Sequence, residues 1–306
     1  MSERFARVPG SGALSPTRRQ TLLLGGAAAA AAVVGGTGLA SGAGTARAAE
    51  PRAVARPLVG ATGITESDFS AISSQLGATE LHYTFQPSFK GTWSQWLGAA
   101  CTAASPAHLP LASTKWSSPT QADFTTLINS VPKDGKIRRI CPWQEPEDNM
   151  DGATFTNVVR LLRNAVGSRT DVLVSLDLMT YSLNAASGRD VTTWMTTDAD
   201  VIGWSVWPKG DSYASEETYV QKAAKLCDDY GRSFAISSFI LDGSEDDAGA
   251  AGFVQWMTDF VADRHAAGKP TDHVVAYTPD TTAPWLTLAK TKAAAKTMFA
   301  TLRGLS

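Results

Sequence analysis

The sequence predicts a (β/α)8 TIM barrel over residues 57–306, as a single domain that follows an export signal. Short apolar runs alternate with segments whose apolar side chains have helical spacing, which is typical of a parallel sheet with helices between its strands. Eight such units occupy about 250 residues, the usual size of a closed β/α barrel. No linker divides them.

The predicted strands are short runs rich in apolar and β-branched residues. They are Pro57–Thr62, Thr79–Phe85, Leu109–Ser113, Lys136–Trp143, Asp171–Asp177, Val201–Trp207, Ser233–Leu241 and His273–Tyr277. The predicted helices are Glu66–Leu76, Trp93–Ala103, Gln121–Val131, Thr154–Val166, Val191–Thr196, Glu216–Tyr230, Ala250–Ala267 and Leu288–Leu302. An open doubly wound sheet is the competing architecture, but the Gly-Ala-Thr-Gly segment after the first strand is not a dinucleotide-binding pattern.

The N-terminal 48 residues predict a signal peptide, and residues 49–56 a short linker. Arg18 and Arg19 precede a weakly hydrophobic run over residues 22–36, and Ala-Arg-Ala at 46–48 supplies a small-x-small cleavage pattern. We therefore expect twin-arginine export and a secreted, extracellular protein. A membrane anchor is the alternative, but the run is short and alanine-rich for a span of about 20 residues.

The predicted mature chain is mildly acidic. Of 27 basic and 29 acidic side chains, five basic and one acidic residue lie in the signal segment, which leaves 22 basic and 28 acidic. Nucleic-acid binding needs clustered basic residues, so we expect no such partner. No later stretch is apolar enough to predict membrane contact in the mature form, and no feature demands a protein partner, so we expect a monomer.

The cysteines and histidines predict neither a metal site nor a disulfide framework. Cys101, Cys141 and Cys227 share no metal-ligand spacing. Export in the folded state from a reducing cytoplasm favours buried free thiols over a single bridge. The four dispersed histidines are interpreted as core or surface residues, and we expect no metal and no cofactor.

The segment from Arg138 to Asp148 contains the first candidate for chemistry. An apolar run stops at Pro142 and is followed by an indole, an amide and three carboxylates within six residues. A carboxyl group in partly dry surroundings has a raised pKa and can carry a proton near neutral pH. Glu145 is therefore the candidate acid/base, while the alternative is a solvated acidic loop of Glu145, Glu147 and Asp148 that caps the next helix.

Other polar and aromatic side chains follow the remaining predicted strands. In a β/α barrel these strand ends meet at one face, where active sites lie. Aromatic rings stack on pyranose faces, and amides and carboxylates bind hydroxyl groups, so the set is typical of a sugar-binding cleft. The candidate substrate-binding residues are Trp116, Trp143, Gln144, Trp207 and Tyr277.

Two motifs resemble those of clan A glycoside hydrolases. Trp143-Gln144-Glu145-Pro146, at the end of the fourth predicted strand, resembles an Asn-Glu-Pro or His-Glu signature in which the Glu is the acid/base. Residues 200–207 are similar to the D-x-I-G-x-D-x-Y pattern on the sixth strand of glycoside hydrolase family 26, the β-mannanase group. The resemblance implies a β-linked polysaccharide as the ligand or substrate, with Glu145 as the acid/base.

The seventh predicted strand departs from that family. There the family has a Glu nucleophile in a pattern like I-x-E-F, whereas this chain has Ile-Ser-Ser-Phe at residues 236–239, so that Ser238 occupies the nucleophile position. A retaining mechanism needs two carboxyl groups about 5 to 5.5 Å apart, and one acid/base alone cannot form the glycosyl-enzyme intermediate.

Three hypotheses follow from this departure. In the first, the protein is an active glycosidase whose second carboxylate is Asp177 or Asp211, with Asp242 and Glu245 as further candidates. In the second, the barrel is catalytically inactive and binds carbohydrate. In the third, the barrel serves chemistry outside sugars, with Glu145 and Asp148 as hydrogen-bonding or metal-ligating carboxylates. The first two share a poly- or oligosaccharide partner.

Overall fold

A computed structural model describes most of the chain after residue 55. The described residues are 56–62, 66–77, 80–86, 91–97, 109–114, 118–208, 213–241, 246–269, 271–278 and 283–306. All of them belong to one compact unit that spans residues 47–306. The predicted signal peptide lies outside the described residues. So do Cys101, Trp116, Asp211, Asp242 and Glu245, which are named above, and one of the four histidines, His108.

Eight parallel strands close into a barrel in which each strand pairs with its neighbours in chain order and β8 pairs with β1. The strands are β1 Leu58–Thr62, β2 Leu81–Gln86, β3 Leu109–Thr114, β4 Arg138–Cys141, β5 Val172–Met179, β6 Val201–Val206, β7 Ser233–Phe239 and β8 Thr271–Ala276. All eight predicted strands are confirmed, with ends that differ by a few residues.

The helices pack around the outside of this barrel. The α-helices in the described part of the chain are α1 Glu66–Leu76, α2 Trp93–Leu97, α3 Gln121–Ser130, α4 Gly152–Val166, α5 Tyr213–Asp229, α6 Asp247–Ala266 and α7 Ala289–Arg303. The prediction of α1 has the same bounds as the structure. The predicted end of α2 lies outside the described residues.

The predicted helix Val191–Thr196 is wrong. Between β5 and β6 the chain forms three short 3-10 turns, the last of them Val191–Trp194. Consecutive β-branched residues are poor helix formers, and Asp190 accepts a bond from the Thr192 amide that starts a single turn only. The apolar pattern that predicted the helix reflects burial, since Val191 packs in the main core, but the buried residue lies in a 3-10 turn.

The main core lies between the barrel wall and the helices. Alternate strand residues such as Val174, Leu176, Trp204 and Phe234 are fully buried there. Burial of each such side chain stabilises the fold by about 1.5–3 kcal/mol. The same layer buries Cys227, which is a free thiol, as is the buried Cys141. The prediction of buried free thiols is confirmed for these two residues.

One ion pair crosses the barrel interior. Arg139 on β4 donates from Nε and Nη2 to the carboxylate of Asp272 on β8, and His273 Nδ1 lies 2.8 Å from the same carboxylate. Burial alone would raise the pKa of Asp272, but the Arg139 guanidinium holds that pKa well below its usual range. Asp272 therefore stays ionised and ties the fourth strand to the eighth.

Close approach at Gly203 fixes the packing of β6 against β7. A Cβ at residue 203 would lie 1.8 Å from Ser237 Oγ and 2.8 Å from the Leu176 carbonyl oxygen. Gly203→Ala should therefore lower the free energy of unfolding by about 1–3 kcal/mol through overpacking. Chemical denaturation measures this change.

The matched control is Gly252→Ala on α6, where no atom lies within 4 Å of the added Cβ. Alanine is the better helix former, so this variant should be more stable than the wild type by about 0.5–1 kcal/mol. Equal stability of the two variants would contradict the packing of β6 on β7.

Candidate active site

The end of β5 organises the mouth of the barrel. Strand β4 stops at Cys141 because Pro142 has no amide hydrogen for the ladder. The chain then continues beside β5, where Gln144 pairs with Asp177 and the Glu145 amide donates to the Asp177 carbonyl at 2.8 Å. Glu145 thus lies on a backbone that is attached to the barrel wall, as the sequence motif predicts.

Glu145 has a left-handed backbone, with φ 50° and ψ 62°. Among the described residues only Ser118 is another non-glycine residue with positive φ. Such strain costs on the order of 1–3 kcal/mol and is found most often at functional sites. The Glu145 side chain is partly exposed. The position predicted for the acid/base is therefore held in an unusual conformation.

Glu147, two residues later, is buried against the end of β5. Its Oε1 accepts a hydrogen bond from the Met179 amide at 2.7 Å, a group that β4 is too short to reach. Burial raises the pKa of Glu147 to about 7, and the nearby Glu145 adds to this effect. The Glu147 carboxylate thus accepts the hydrogen bond that a backbone carbonyl of a longer β4 would accept.

The hypothesis of a solvated acidic loop that caps the next helix is therefore wrong for Glu147. The cap of α4 is Asp151, which accepts from the Thr154 amide at 2.9 Å. Asp148 does lie at the surface, where it pairs with Arg189 from the β5–β6 connection. Arg189 in turn lies over the ring of Tyr181, 5.8 Å from its centroid.

Asp177 is the centre of a buried hydrogen-bond network. Tyr83 on β2 donates its hydroxyl to Oδ2 at 2.6 Å, and Ser205 on β6 donates to Oδ1 at 3.0 Å. Burial raises the pKa of Asp177 to about 8, and the negative charges of Glu145 and then Glu147 contribute. Asp177 is therefore mainly protonated at neutral pH, and only 1% of its surface is exposed.

Ser238 continues this network to β7. The pairing of β6 with β7 shifts between Trp204 and Ser205, so that Ser205 pairs with Ser238 and Ser237 becomes an extra residue. Ser238 donates to the Ser205 hydroxyl at 3.1 Å and is buried. The structure thus connects two predicted site residues, Asp177 and Ser238, through a hydroxyl group rather than by direct contact.

A second buried carboxylate supports the ends of β5 and β6. Glu216 on α5 accepts from the Thr180 hydroxyl and from the Trp207 amide. The same hydroxyl also contacts the Ser205 carbonyl at 2.9 Å. Burial raises the pKa of Glu216. These contacts fix the backbone from which Trp207 emerges.

The predicted aromatic residues differ in exposure. Trp207 is 50% exposed at the end of β6, whereas Trp143 is 8% exposed and packs in the main core. Tyr277 and Gln144 are partly exposed. Trp116 lies outside the described residues, so the structure brings together only part of the predicted cleft. Tyr181, which is 53% exposed, is an additional aromatic residue at the mouth.

Sequence analysis missed Tyr83, Ser205 and the buried role of Glu147. Tyr83 lies in the middle of an apolar strand, and no pattern links it to a carboxylate 94 residues later. The Glu-Pro-Glu-Asp segment indicated a group of carboxylates after β4. That Glu147 is the buried one depends on the difference in length between β4 and β5, which the sequence does not show. No group of three or more His, Cys, Asp or Glu in the described residues could hold a metal ion.

Comparisons with known proteins find similarity at the level of the fold. No family model matches the chain, and no curated protein matches it by sequence. Solved structures do match.

A GH26 β-mannanase from Bacteroides ovatus has a TM-score of 0.52 and 12% identity, over 79% of this chain and 90% of that one. A glucosidase from Croceicoccus marinus has a TM-score of 0.54 and 12% identity, over 83% of this chain and 69% of that one. A GH128 curdlan-specific exo-β-1,3-glucanase from Blastomyces gilchristii has a TM-score of 0.52 and 15% identity, over 78% of this chain and 97% of that one. The resemblance to family 26 is thus confirmed for the fold, and at these identities the comparison establishes the fold alone.

The raised pKa of Asp177 leads to a prediction about stability. Between its ordinary value of 3.8 and about 8, the folded protein keeps a proton that the unfolded chain releases, so stability falls as pH rises through this window. Asp177→Asn should reduce that slope by up to about 1.4 kcal/mol per pH unit. Denaturation at a series of pH values from 5 to 9 measures it.

Asp272→Asn is the matched control, because Asp272 is equally buried but has a lowered pKa. This substitution leaves Arg139 unpaired and should cost about 3–5 kcal/mol at neutral pH. A slope that is unchanged in Asp177→Asn would contradict the protonated state of Asp177.

Proposed function

We propose that this protein is a secreted, single-domain glycoside-hydrolase-like barrel that binds or hydrolyses β-linked polysaccharide, with Glu145 as the general acid/base. The observation that carries this proposal is the constellation at the mouth of the barrel. A partly exposed carboxylate on a strained backbone follows β4, and two half-exposed aromatic rings follow the next two strands, β5 and β6. Carboxylates bind sugar hydroxyls and aromatic rings stack on pyranose faces.

Glu145 can act as an acid because its carboxylate lies at the mouth, where a glycosidic oxygen would be bound. In hydrolysis it would donate a proton to that leaving oxygen and then accept one from water. The loop attachment to Asp177 and Met179 holds the carboxylate in place, which such proton transfer requires. The similar solved structures are those of a β-mannanase and a β-1,3-glucanase, which supports mannan and β-glucan as first substrates to test.

Hydrolysis requires a second carboxyl group besides Glu145. Asp177 is close to Glu145, but it is buried, mainly protonated at neutral pH and bonded to Tyr83 and Ser205. A nucleophile must be ionised and must reach the sugar. Asp211 and the further candidates Asp242 and Glu245 lie outside the described residues.

A catalytically inactive carbohydrate-binding protein is the second candidate function. The specific observation in its favour is that Ser238, which the family resemblance assigns to the nucleophile position, is 1% exposed within the hydroxyl network of β6 and β7. A buried serine hydroxyl cannot replace a carboxylate nucleophile there. This candidate keeps the same ligand class and the same mouth of the barrel.

Hydrolysis of oligosaccharides tests the role of Glu145. Glu145→Gln should lower kcat on β-1,4-mannan or β-1,3-glucan oligosaccharides by about 10²- to 10⁴-fold, because the amide cannot supply a proton. Aryl glycosides with good leaving groups need little acid help and should lose much less. Steady-state kinetics on both substrate types measure the difference.

Glu217→Gln on the outer helix α5 is the control and should leave both rates unchanged. Binding without turnover in the wild type would select the carbohydrate-binding candidate. Neither binding nor turnover across mannan, xylan and glucan would contradict the proposed function as a whole.

Export is tested separately from the barrel. Replacing Arg18 and Arg19 with Lys should leave precursor inside the cell, because a twin-arginine receptor distinguishes the guanidinium pair from a positive charge. Immunoblotting of cell and medium fractions measures this retention. Normal secretion of the double variant would indicate the general pathway instead.

A further inference from the structure

We infer that Tyr181 and Trp207 form one rigid platform on which neighbouring pyranose units of a glycan stack beside Glu145. This inference rests on the proposed function and names a binding residue, Tyr181, and a direction for the bound chain. Its evidence is the exposure of the two rings, their register on adjacent strands, and the buried groups that hold them.

Exposure separates these two residues from the other large apolar side chains. In the described part of the chain, Tyr181 at 53% and Trp207 at 50% are the large hydrophobic residues that are exposed. Rings such as Trp93, Trp204 and Trp285 are almost fully buried. Exposed apolar side chains that lie together mark interaction sites more often than isolated ones do.

The two aromatic residues follow neighbouring strands at the same end of the barrel. Met179 on β5 pairs with Ser205 on β6, and each aromatic residue lies two positions after its paired residue. Beyond this pair the chain after β5 turns into the 3-10 helix Thr180–Leu183. The Glu216 carboxylate accepts from both the Thr180 hydroxyl and the Trp207 amide, so it holds the two segments that carry the rings next to each other.

Buried carboxylates hold the backbone on both sides of the pair. Glu147 accepts from the Met179 amide, and Glu216 accepts from the Thr180 hydroxyl and the Trp207 amide. Burying a carboxylate is costly, and its raised pKa reflects that cost. A preformed backbone lowers the entropy that binding must overcome, so this arrangement suits a binding surface.

Arg189 orients the Tyr181 ring and links it to the Glu145 loop. Its guanidinium lies 5.8 Å from the ring centroid and pairs with Asp148, three residues after Glu145. The Arg189 cation therefore lies against the Tyr181 ring, and Tyr181 is still 53% exposed. Around the rim the order is Glu145, Tyr181 and Trp207, after β4, β5 and β6.

This order gives the bound glycan a direction. A chain that reaches Glu145 and stacks on both rings extends from β4 towards β6. The rim offers an amide at Gln144, carboxylates at Glu145 and Asp148, and the two aromatic faces. Such a mixture matches a pyranose chain, which has apolar ring faces and a hydroxyl rim, better than a uniformly apolar partner.

The test is isothermal titration of the full chain with β-1,4-mannan and β-1,3-glucan oligosaccharides of two to six units. Tyr181→Ala and Trp207→Ala should each weaken binding of the longest ligand by roughly 10-fold or more, and binding of the disaccharide by less. Tyr181→Phe should retain most of the affinity, because it keeps the aromatic face. Unchanged thermal unfolding would show that the variants fold.

Tyr219→Ala is the matched control. Tyr219 is a partly exposed tyrosine on α5 with a cation, Lys222, 5.6 Å from its ring, but it lies away from the mouth. Oligosaccharide affinity should not change in this variant.

Three results would overturn the inference. Sugar binding that is unchanged in Tyr181→Ala would overturn the platform and leave the proposed function intact. A change in sedimentation of Trp207→Ala with unchanged sugar affinity would make the rings a self-association contact. Absence of sugar binding in the wild type would contradict the proposed function itself, and the platform with it.

Discussion

The unequal lengths of β4 and β5 determine the architecture of the mouth. Strand β4 ends at Cys141, whereas β5 continues to Met179. Backbone groups on the exposed edge of β5 would remain unpaired, and buried polar groups without partners are costly. The loop after β4 satisfies them, first with the Glu145 amide and then with the Glu147 carboxylate. The left-handed conformation of Glu145 lies between these two attachments.

Asp177 shows how the same strand affects the chemistry available inside the barrel. Its carboxyl group is bonded to hydroxyl groups from β2 and β6, and through Ser205 it is connected to Ser238 on β7. A protonated carboxyl among hydroxyls needs no counter-ion. Arg139 and Asp272, elsewhere in the interior, form a charged pair instead. Asp177 is therefore buried as a neutral group, whereas Asp272 is buried as part of an ion pair.

Much of the fold could be predicted from the sequence because strand and helix periodicity is local. The eight strands and the position of Glu145 after β4 follow from apolar runs and from Pro142. The Val191–Thr196 helix could not be corrected from spacing, because a buried turn and a short helix share the same apolar pattern. The pairing shift at Ser205 also depends on contacts between strands that no single segment contains.

The candidate site was only partly predictable for a related reason. Trp143 and Trp207 both follow strands, yet one is in the core and the other is at the surface. Their difference arises from what covers each strand end, which is a tertiary property. Trp143 packs in the main core, whereas the Glu216 carboxylate accepts from the Trp207 amide and the Trp207 ring stays at the surface. The exposed rings of Tyr181 and Trp207 are therefore attached to backbone segments that buried carboxylates hold in place.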